Sequence, residues 1–248
     1  MPEAVAVVTG GSGAIGSAIC KALAAAGFLV AVGYNSQAQA AQNLAGSLPE
    51  GPHIAFKASV ADSAALAVLA DSVIKRYGRC DVLVNCAGTT RFVPHADLDG
   101  LDDALIDDIL ATNVRGSFAA IRAFAPHLKQ SPLPGGGVVI NLSSVAARSA
   151  MGSNVMYCAS KAALDNMTVS LARALAPKVR VLSVSPGLVD TDFVKSLDRD
   201  WRNQQVRSTP LQRLASPEEI GSAVLCAVRD LTFSTGCILA VDGGRPIT

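Results

Sequence analysis

Ala4-Val-Ala-Val-Val-Thr9 runs directly into Gly10-Gly-Ser-Gly-Ala-Ile-Gly16, and residues 17–26 continue as an Ala-rich helical pattern that stops at Gly27. A short β-branched run of this kind suits a parallel strand buried on both faces. Phe28-Leu-Val-Ala-Val32 is a second such run. Strand, glycine turn, helix and strand within about thirty residues is the plan of a dinucleotide-binding unit. The glycines let the backbone turn tightly and approach a pyrophosphate. The helix amino terminus behind them offers unpaired N–H groups and a partial positive charge.

Outward from this unit the alternation repeats. Further strands are predicted at 53–57, 81–85, 137–142, 179–184 and 237–241. Helices are predicted at 37–48, at 62–77 with Asp62 as N-cap, at 101–130 with a break near Asn113 to Gly116, through Tyr157 and Lys161 to Ala176, and at 217–229. Seven strands alternating with helices imply one α/β domain over 1–248, Rossmann-type and doubly wound, with a parallel sheet covered by helices on both faces. Residues 188–213 show no clear strand and are expected to form a lid over the site. Trp201, inside the charged run Asp198-Arg-Asp-Trp-Arg202, is either a substrate contact or a packing residue.

Composition narrows the classes. A chain of 248 residues suits one large α/β domain. Half of the residues are hydrophobic and 4% are aromatic, so the core must be aliphatic. A formal net charge of +1 argues against broad binding of nucleic acid or a membrane surface. No apolar run reaches the ~18 residues of a membrane span. Met1-Pro2-Glu3 passes into the first strand with no basic region or cleavage site, so no signal peptide is expected. The six cysteines, at 20, 80, 86, 158, 226 and 237, show neither C-x-x-C spacing nor a Cys/His cluster. No metal site is expected, the location expected is a reducing cytoplasm, and Cys158 reads as packing.

The chemistry converges on residues 144–161. Tyr157 and Lys161 stand four apart, on one face of a helix. A phenol is too weak an acid for work at neutral pH, and a nearby ammonium favours its ionised form. A phenol so placed can pass a proton to or from a carbonyl or alcohol oxygen. Ser144 follows the strand 137–142, at the carboxyl end where open α/β sheets place ligands. Spacing alone would equally describe an ordinary surface pair of Tyr and Lys.

Together these segments resemble the short-chain dehydrogenases/reductases, and within them most closely the 3-oxoacyl-(acyl-carrier-protein) reductases. Thr9-Gly10-x-x-x-Ala14-Ile15-Gly16 is similar to the family's coenzyme turn, and Asn85-Cys86-Ala87-Gly88 to its N-A-G element. Asn113 matches its helix-breaking Asn, Ser144, Tyr157 and Lys161 its catalytic Ser and Y-x-x-x-K pair, Pro186-Gly187 and Thr191 its nicotinamide loop, and Val241-Asp-Gly-Gly244 its ending. Two departures stand out: Ser59 replaces an Asp before Val60, and Cys86 replaces a second Asn. The spacing of thirteen residues to the Tyr selects Ser144 over its neighbour Ser143.

The resemblance implies a reaction and its residues. Hydride passes to a carbonyl carbon while Tyr157 protonates the oxygen, Ser144 hydrogen-bonds it, Lys161 tunes the phenol and holds the nicotinamide ribose, and Asn113 with water resupplies the proton. Coenzyme contacts are implied at Gly10, Ser12, Gly13, Ile15 and Gly16 in the turn, and at Tyr34, Asn35 and Ser36 after the second strand. Ser59 and Val60 are implied near the adenine, Asn85, Ala87 and Gly88 after the fourth strand, and Tyr157, Lys161, Pro186, Gly187, Val189 and Thr191 around the nicotinamide. No acidic residue lies between Gly33 and Leu48 to hold a ribose 2′-hydroxyl, so NADP(H) is expected to be preferred, with NAD(H) allowed.

The substrate expected is a small carbonyl or alcohol compound, most specifically a 3-oxoacyl thioester. An acyl-carrier protein would be the partner, docking on Lys129 and Lys178, although both also suit ordinary helix ends. A homotetramer is expected, joined by the helices around 101–130 and 155–176 and by the carboxyl end near Val241. The rival readings are a sugar, polyol or steroid-type alcohol dehydrogenase of the same family and a non-catalytic coenzyme-binding regulator.

Overall fold

A computed structural model describes residues 3–49 and 51–245. The ends of the expected 1–248 span, including Met1 and Pro2 of the signal-peptide reading, lie outside the described residues, as does residue 50. The strands are β1 (Val5–Thr9), β2 (Leu29–Tyr34), β3 (Ile54–Lys57), β4 (Val82–Asn85), β5 (Gly137–Leu142), β6 (Val179–Pro186) and β7 (Ile238–Val241). They form one parallel sheet in the order β3-β2-β1-β4-β5-β6-β7. The order reverses between β1 and β4, and that switch point leaves a crevice at the carboxyl ends of the strands.

Between the strands run α1 (Ala14–Ala25), α2 (Ala38–Ser47), α3 (Ser63–Tyr77), α4 (Asp103–Leu110) and α5 (Ser117–Leu128). After β5 come α6 (Ala146–Ser149) and α7 (Val155–Leu175), and after β6 come α8 (Asp192–Lys195), α9 (Arg199–Arg207) and α10 (Pro217–Arg229). Side chains alternate along each central strand, so the sheet has two cores. Ala6, Val8, Val84, Ile140 and Val184 meet Ile19 and Leu23 of α1 and Ile220 and Val224 of α10 on one face. Val5, Val7, Leu83, Val139 and Val181 meet Leu66 and Leu69 of α3 and Phe124 and Leu128 of α5 on the other. The aliphatic runs of the sequence are thus buried on both sides, as parallel strands require.

Three expected boundaries are corrected. The first helix begins at Ala14, inside the glycine motif, so Ala14 to Gly16 form its first turn. The stretch 101–130 is not broken at Asn113. α4 and α5 are joined through a π-helical turn, Ala111–Gly116, which widens the helix without ending it. The expected lid, 188–213, is not a plain loop: it holds α8 and α9, and a short parallel bridge pairs Val189 with Ala215. Asp62 caps α3 as expected, accepting from the N–H groups of Ala64 and Ala65 at 2.9 and 3.1 Å.

The glycine turn closes on backbone alone. Gly10 holds φ +64°, and a Cβ there would stand 2.8 Å from Ala87 Cα. A Cβ on Gly16 would collide with the carbonyl oxygen of Gly10. At Gly13 it would meet only that carbonyl, at 3.4 Å. Gly16→Ala is therefore expected to lower unfolding free energy in urea by ~1–3 kcal/mol, the usual cost of overpacking. Gly13→Ala should cost less.

Candidate functional site

The carboxyl ends of β1, β4, β5 and β6 open into one cleft of about 1810 Å³. That is larger than the roughly 300–1,000 Å³ of a site for one small ligand, and leaves room for a dinucleotide with a substrate beside it. Its floor is polar and tightly tied. Thr9, at the end of β1, accepts from the N–H groups of Cys86 and Ala87, both at 3.2 Å, and donates to Val84 O at 3.3 Å. One hydroxyl thus joins the two strands on either side of the switch point.

At one end of the cleft, α1 points its amino terminus into the opening. Gly13 caps it with no side-chain bond, so the first N–H groups of the helix face the cleft without a side-chain acceptor. Gly10, Ser12, Gly13, Ile15 and Gly16 line this end, with Asn35 and Ser36 beyond β2 and Ser59 and Val60 beyond β3. An anionic diphosphate fits such a terminus, and the room left by the glycines lets it approach the backbone. The residues present therefore fit a dinucleotide.

At the other end stand the groups of residues 144–161. Ser143 is buried and donates to Lys161 O at 3.3 Å, whereas Ser144 is half-buried and lines the cleft. Tyr157 and Lys161 lie on α7 and both line the cleft. Lys161 is only 7% exposed. Its Nζ donates to Leu142 O, the last residue of β5, at 2.7 Å and lies 5.7 Å from the centroid of the Tyr157 ring. A buried ammonium is costly unless oxygen surrounds it, so this bond fixes where the Lys161 head sits. Pro186, Gly187, Val189 and Thr191 line the cleft as well, and Thr191 caps α8 by accepting from Val194 N–H at 3.4 Å. Ala87 and Gly88 line the cleft between the two ends.

Three expected residues sit outside the lining. Tyr34 packs against the core beside β1. Asn85 turns away beneath the sheet, donating to Asn141 Oδ1 at 2.9 Å and Ser117 O at 3.3 Å. It braces β4 against β5 instead of facing the cleft. Asn113 lies in the π-helical turn and is 1% exposed. Its carboxamide bonds Thr89 at both N–H and carbonyl, at 2.8 and 3.1 Å, and donates to Ser160 Oγ at 3.0 Å.

The expected docking cations are also misplaced for this chain's own cleft. Lys129 follows α5, and the Lys178 carbonyl accepts from Gly137 N–H at the start of β5. β5 has six residues and rises ~3.3 Å per residue, so roughly 17 Å of strand separates that edge from the Ser144 edge. The segment 97–108 carries six exposed aspartates, of which Asp108 lines the cleft.

The cleft also holds residues that no motif announced. Phe92, His95 and Met151 form one wall, and Trp201, Gln205 and Arg245 belong to the other. The Arg245 guanidinium donates to Gln205 Oε1 and so ties the carboxyl-terminal segment to α9. Burial lowers the Arg245 pKa. Trp201 is half-buried on α9 and faces the cleft, which favours the contact reading over core packing. Cys86 lines the cleft too, but burial pushes its thiol up to about 11 against the pull of Lys161, so it is a poor nucleophile at neutral pH. Cys158 is buried, in keeping with a packing role, and burial raises its thiol pKa as well.

Comparison with known proteins places these features in a family. A family model described as enoyl-(acyl carrier protein) reductase matches residues 10–245. The chain is 39% identical over 246 residues, covering 98% of it and 96% of the relative, to a Streptomyces violaceoruber protein named provisionally as ketoacyl reductase 2 of the granaticin polyketide synthase. It is 35% identical over 248 residues, covering 98% and 93%, to the D-threitol dehydrogenase of Mycolicibacterium smegmatis. A solved structure, a Serratia marcescens short-chain dehydrogenase/reductase carrying two Phe-to-Leu changes, superposes with a TM-score of 0.89 at 33% identity, covering 99% of this chain and all of that one.

Proposed function

Since this chain belongs to the short-chain dehydrogenase/reductase family of oxidoreductases, we propose that it reduces the carbonyl of a 3-oxoacyl thioester with NADPH, with Tyr157 as proton donor. The observation that carries this reading is the grouping of Ser144, Tyr157 and Lys161 at one end of a cleft whose other end is an uncapped helix amino terminus.

When bound, the nicotinamide coenzyme supplies the hydride. Gly10, Ser12, Gly13, Ile15 and Gly16 would hold its diphosphate, and Lys161 with the loop Pro186–Thr191 its nicotinamide end. The protein's own work is on the substrate oxygen. Tyr157 gives its hydroxyl proton to that oxygen as charge develops there. Ser144 Oγ donates a second hydrogen bond and stabilises the same charge. Lys161, held by Leu142 O, places its ammonium head 5.7 Å from the Tyr157 ring centroid, where it stabilises the negative charge that proton transfer leaves there. Asn113 serves this set through Ser160 and Thr89. The helices of 188–213 act as the lid.

The thioester reading draws on the ketoacyl reductase name of one relative and on the acyl-carrier description of the family model. Carriage by an acyl-carrier protein has the weaker support, because Lys129 and Lys178 lie at the far edge and the exposed carboxylate that lines the cleft, Asp108, opposes an acidic partner. A polyol or another alcohol is the second reading, favoured by the threitol dehydrogenase likeness. For the coenzyme, Asn35 and Ser36 offer donors to a 2′-phosphate and no carboxylate stands nearby to repel it. A homotetramer is in keeping with β7, an edge strand whose Ile238, Leu239 and Val241 are apolar yet only half-buried.

Four outcomes are expected. Acetoacetyl-N-acetylcysteamine should be reduced faster with NADPH than with NADH. Turnover of D-threitol but of no 3-oxoacyl thioester would replace the first reading with the second. Tyr157→Phe should lower kcat by roughly 10²–10⁴-fold, the usual range for a lost general acid, while coenzyme affinity by calorimetry stays within about twofold. Ser144→Ala should lower kcat without altering thermal stability. By light scattering at micromolar concentration the mass should be four times the 25.4 kDa of one chain.

A further inference from the structure

The peptide backbone of Tyr157 is gripped from both sides, and both grips lead to the same loop. On the amino side, Asn154 is the N-cap of α7, only 1% exposed, and its Oδ1 accepts from Tyr157 N–H at 2.7 Å. The same carboxamide donates to Thr90 Oγ1 at 3.2 Å and to Arg91 O at 2.8 Å. On the carbonyl side, Ser160 Oγ donates to Tyr157 O at 2.8 Å and accepts from Asn113 Nδ2 at 3.0 Å. Asn113 in turn bonds both backbone groups of Thr89. The path from Tyr157 N–H through Asn154, residues 89–91, Asn113 and Ser160 back to Tyr157 O is therefore closed.

This circuit is buried, and the loop it encloses is part of the cleft wall. Asn113, Asn154 and Ser160 are each at most 1% exposed. Buried bonds of this kind are expensive to leave unmade, and linked bonds support one another. Thr89, Thr90, Phe92, Val93, Pro94 and His95 line the cleft. Further ties join this loop to the turn before α7: Val93 N–H donates to Ser153 O at 2.8 Å, and Thr90 Oγ1 meets Ser153 Oγ at 2.5 Å. An ordinary N-cap needs only the acceptor oxygen. At Asn154 both amide protons are used as well, and both go to the substrate wall.

We propose that Asn154 and Ser160 are positioning residues that lock the Tyr157 phenol in register with the substrate wall at 89–91. The proposal rests on Tyr157 being the proton donor. Its logic is geometric: a proton passes efficiently only between atoms held at hydrogen-bond reach, and a misplacement of about 1 Å can lower rate by roughly 10²-fold. The phenol and the wall that orients the substrate belong to different chain segments, so something must set their separation.

The test uses Asn154→Asp and Ser160→Ala, assayed with NADPH and acetoacetyl-N-acetylcysteamine. Asn154→Asp keeps the cap acceptor and removes both donors to the loop. Ser160→Ala removes the opposite link and places the best helix former in α7, so it decides the matter alone if the first variant does not fold. Each is expected to lower kcat by roughly ten- to a hundredfold, with coenzyme affinity within about twofold of the parent. The solvent deuterium isotope effect on kcat should rise as proton transfer becomes limiting. The double variant should fall no further than the worse single one, since both break one circuit. A kcat within about twofold of the parent in the folded variants, an unchanged isotope effect, or losses that multiply in the double variant would overturn the proposal. Tyr157→Phe separates the two ideas: an inactive Phe variant beside an intact Asn154→Asp removes the circuit alone, whereas an active Phe variant removes the proton-donor reading itself.

Discussion

The bond from Lys161 Nζ to Leu142 O, 2.7 Å long, is the interaction on which the arrangement of the site depends. A cation buried to 7% exposure needs oxygen partners, and the carbonyl at the end of a central strand is as fixed as any group in the molecule. The bond sets the rotation of α7 about its axis. Once Lys161 is fixed, Tyr157 one turn earlier can face only the cleft. Both Ser143 and Ser144 border the cleft, but the buried Ser143 spends its hydroxyl on the Lys161 carbonyl, which leaves Ser144 as the more exposed of the two. The site is therefore placed by the sheet, and the helix carries its orientation from strand to phenol.

The same sheet places the other half of the cleft. Reversal of strand order between β1 and β4 separates the helices that follow them, and the gap is where a ligand can lie. Thr9 bridges that gap from below, and Asn85 and Asn141 brace β4 to β5, with Asn141 donating onward to Thr168 of α7 at 2.8 Å. Thr9, Asn85 and Asn141 thus lie at the carboxyl ends of their strands, where they tie the floor of the cleft together beneath both halves.

Most of this was legible in the sequence because it rests on local patterns. The glycine turn, the β-branched runs, Asp62 at a helix start and the Tyr157–Lys161 spacing each have a short-range cause. What escaped was decided by tertiary contact. The π-helical turn at 111–116 looked like a helix break because Asn113 and Gly116 are poor helix formers. The chain continues there because the Asn113 side chain is bonded to Thr89 and Ser160, far away in sequence. Asn85 and Tyr34 stood beside true lining residues and alternate away from them, a difference of one position on a strand. Arg245 and Gln205 meet across 40 residues, and no spacing rule reaches that far. The reading of Lys129 and Lys178 failed on direction. Lys129 caps α5 and Lys178 lies just past the end of α7, and the Lys178 carbonyl bonds the first residue of β5, at the edge of the sheet opposite Ser144.

The two walls of the cleft differ in how they are held, and the difference bears on how one site can serve different substrates. The wall at 89–95 is tied to the turn before α7 by bonds among nearly inaccessible groups, each costly to break. The opposite wall, α8 and α9, is braced within itself by partly exposed pairs such as Arg202 with Asp190 at 3.8 Å, and meets the carboxyl-terminal segment through the Arg245–Gln205 contact and Leu211 N–H to Gly243 O at 3.2 Å. Exposed ion pairs contribute only ~0–1 kcal/mol each. On the proposed reaction, register between the phenol and the carbonyl would belong to the 89–95 wall, and accommodation of the rest of the substrate to α8 and α9. Two relatives, each at least 35% identical to this chain, bear names as different as ketoacyl reductase and threitol dehydrogenase, so a shared fold leaves the substrate open. On that reaction a change of substrate would fall on the helices at 192–207, while Asn154 and Ser160 hold the Tyr157 backbone on the other side.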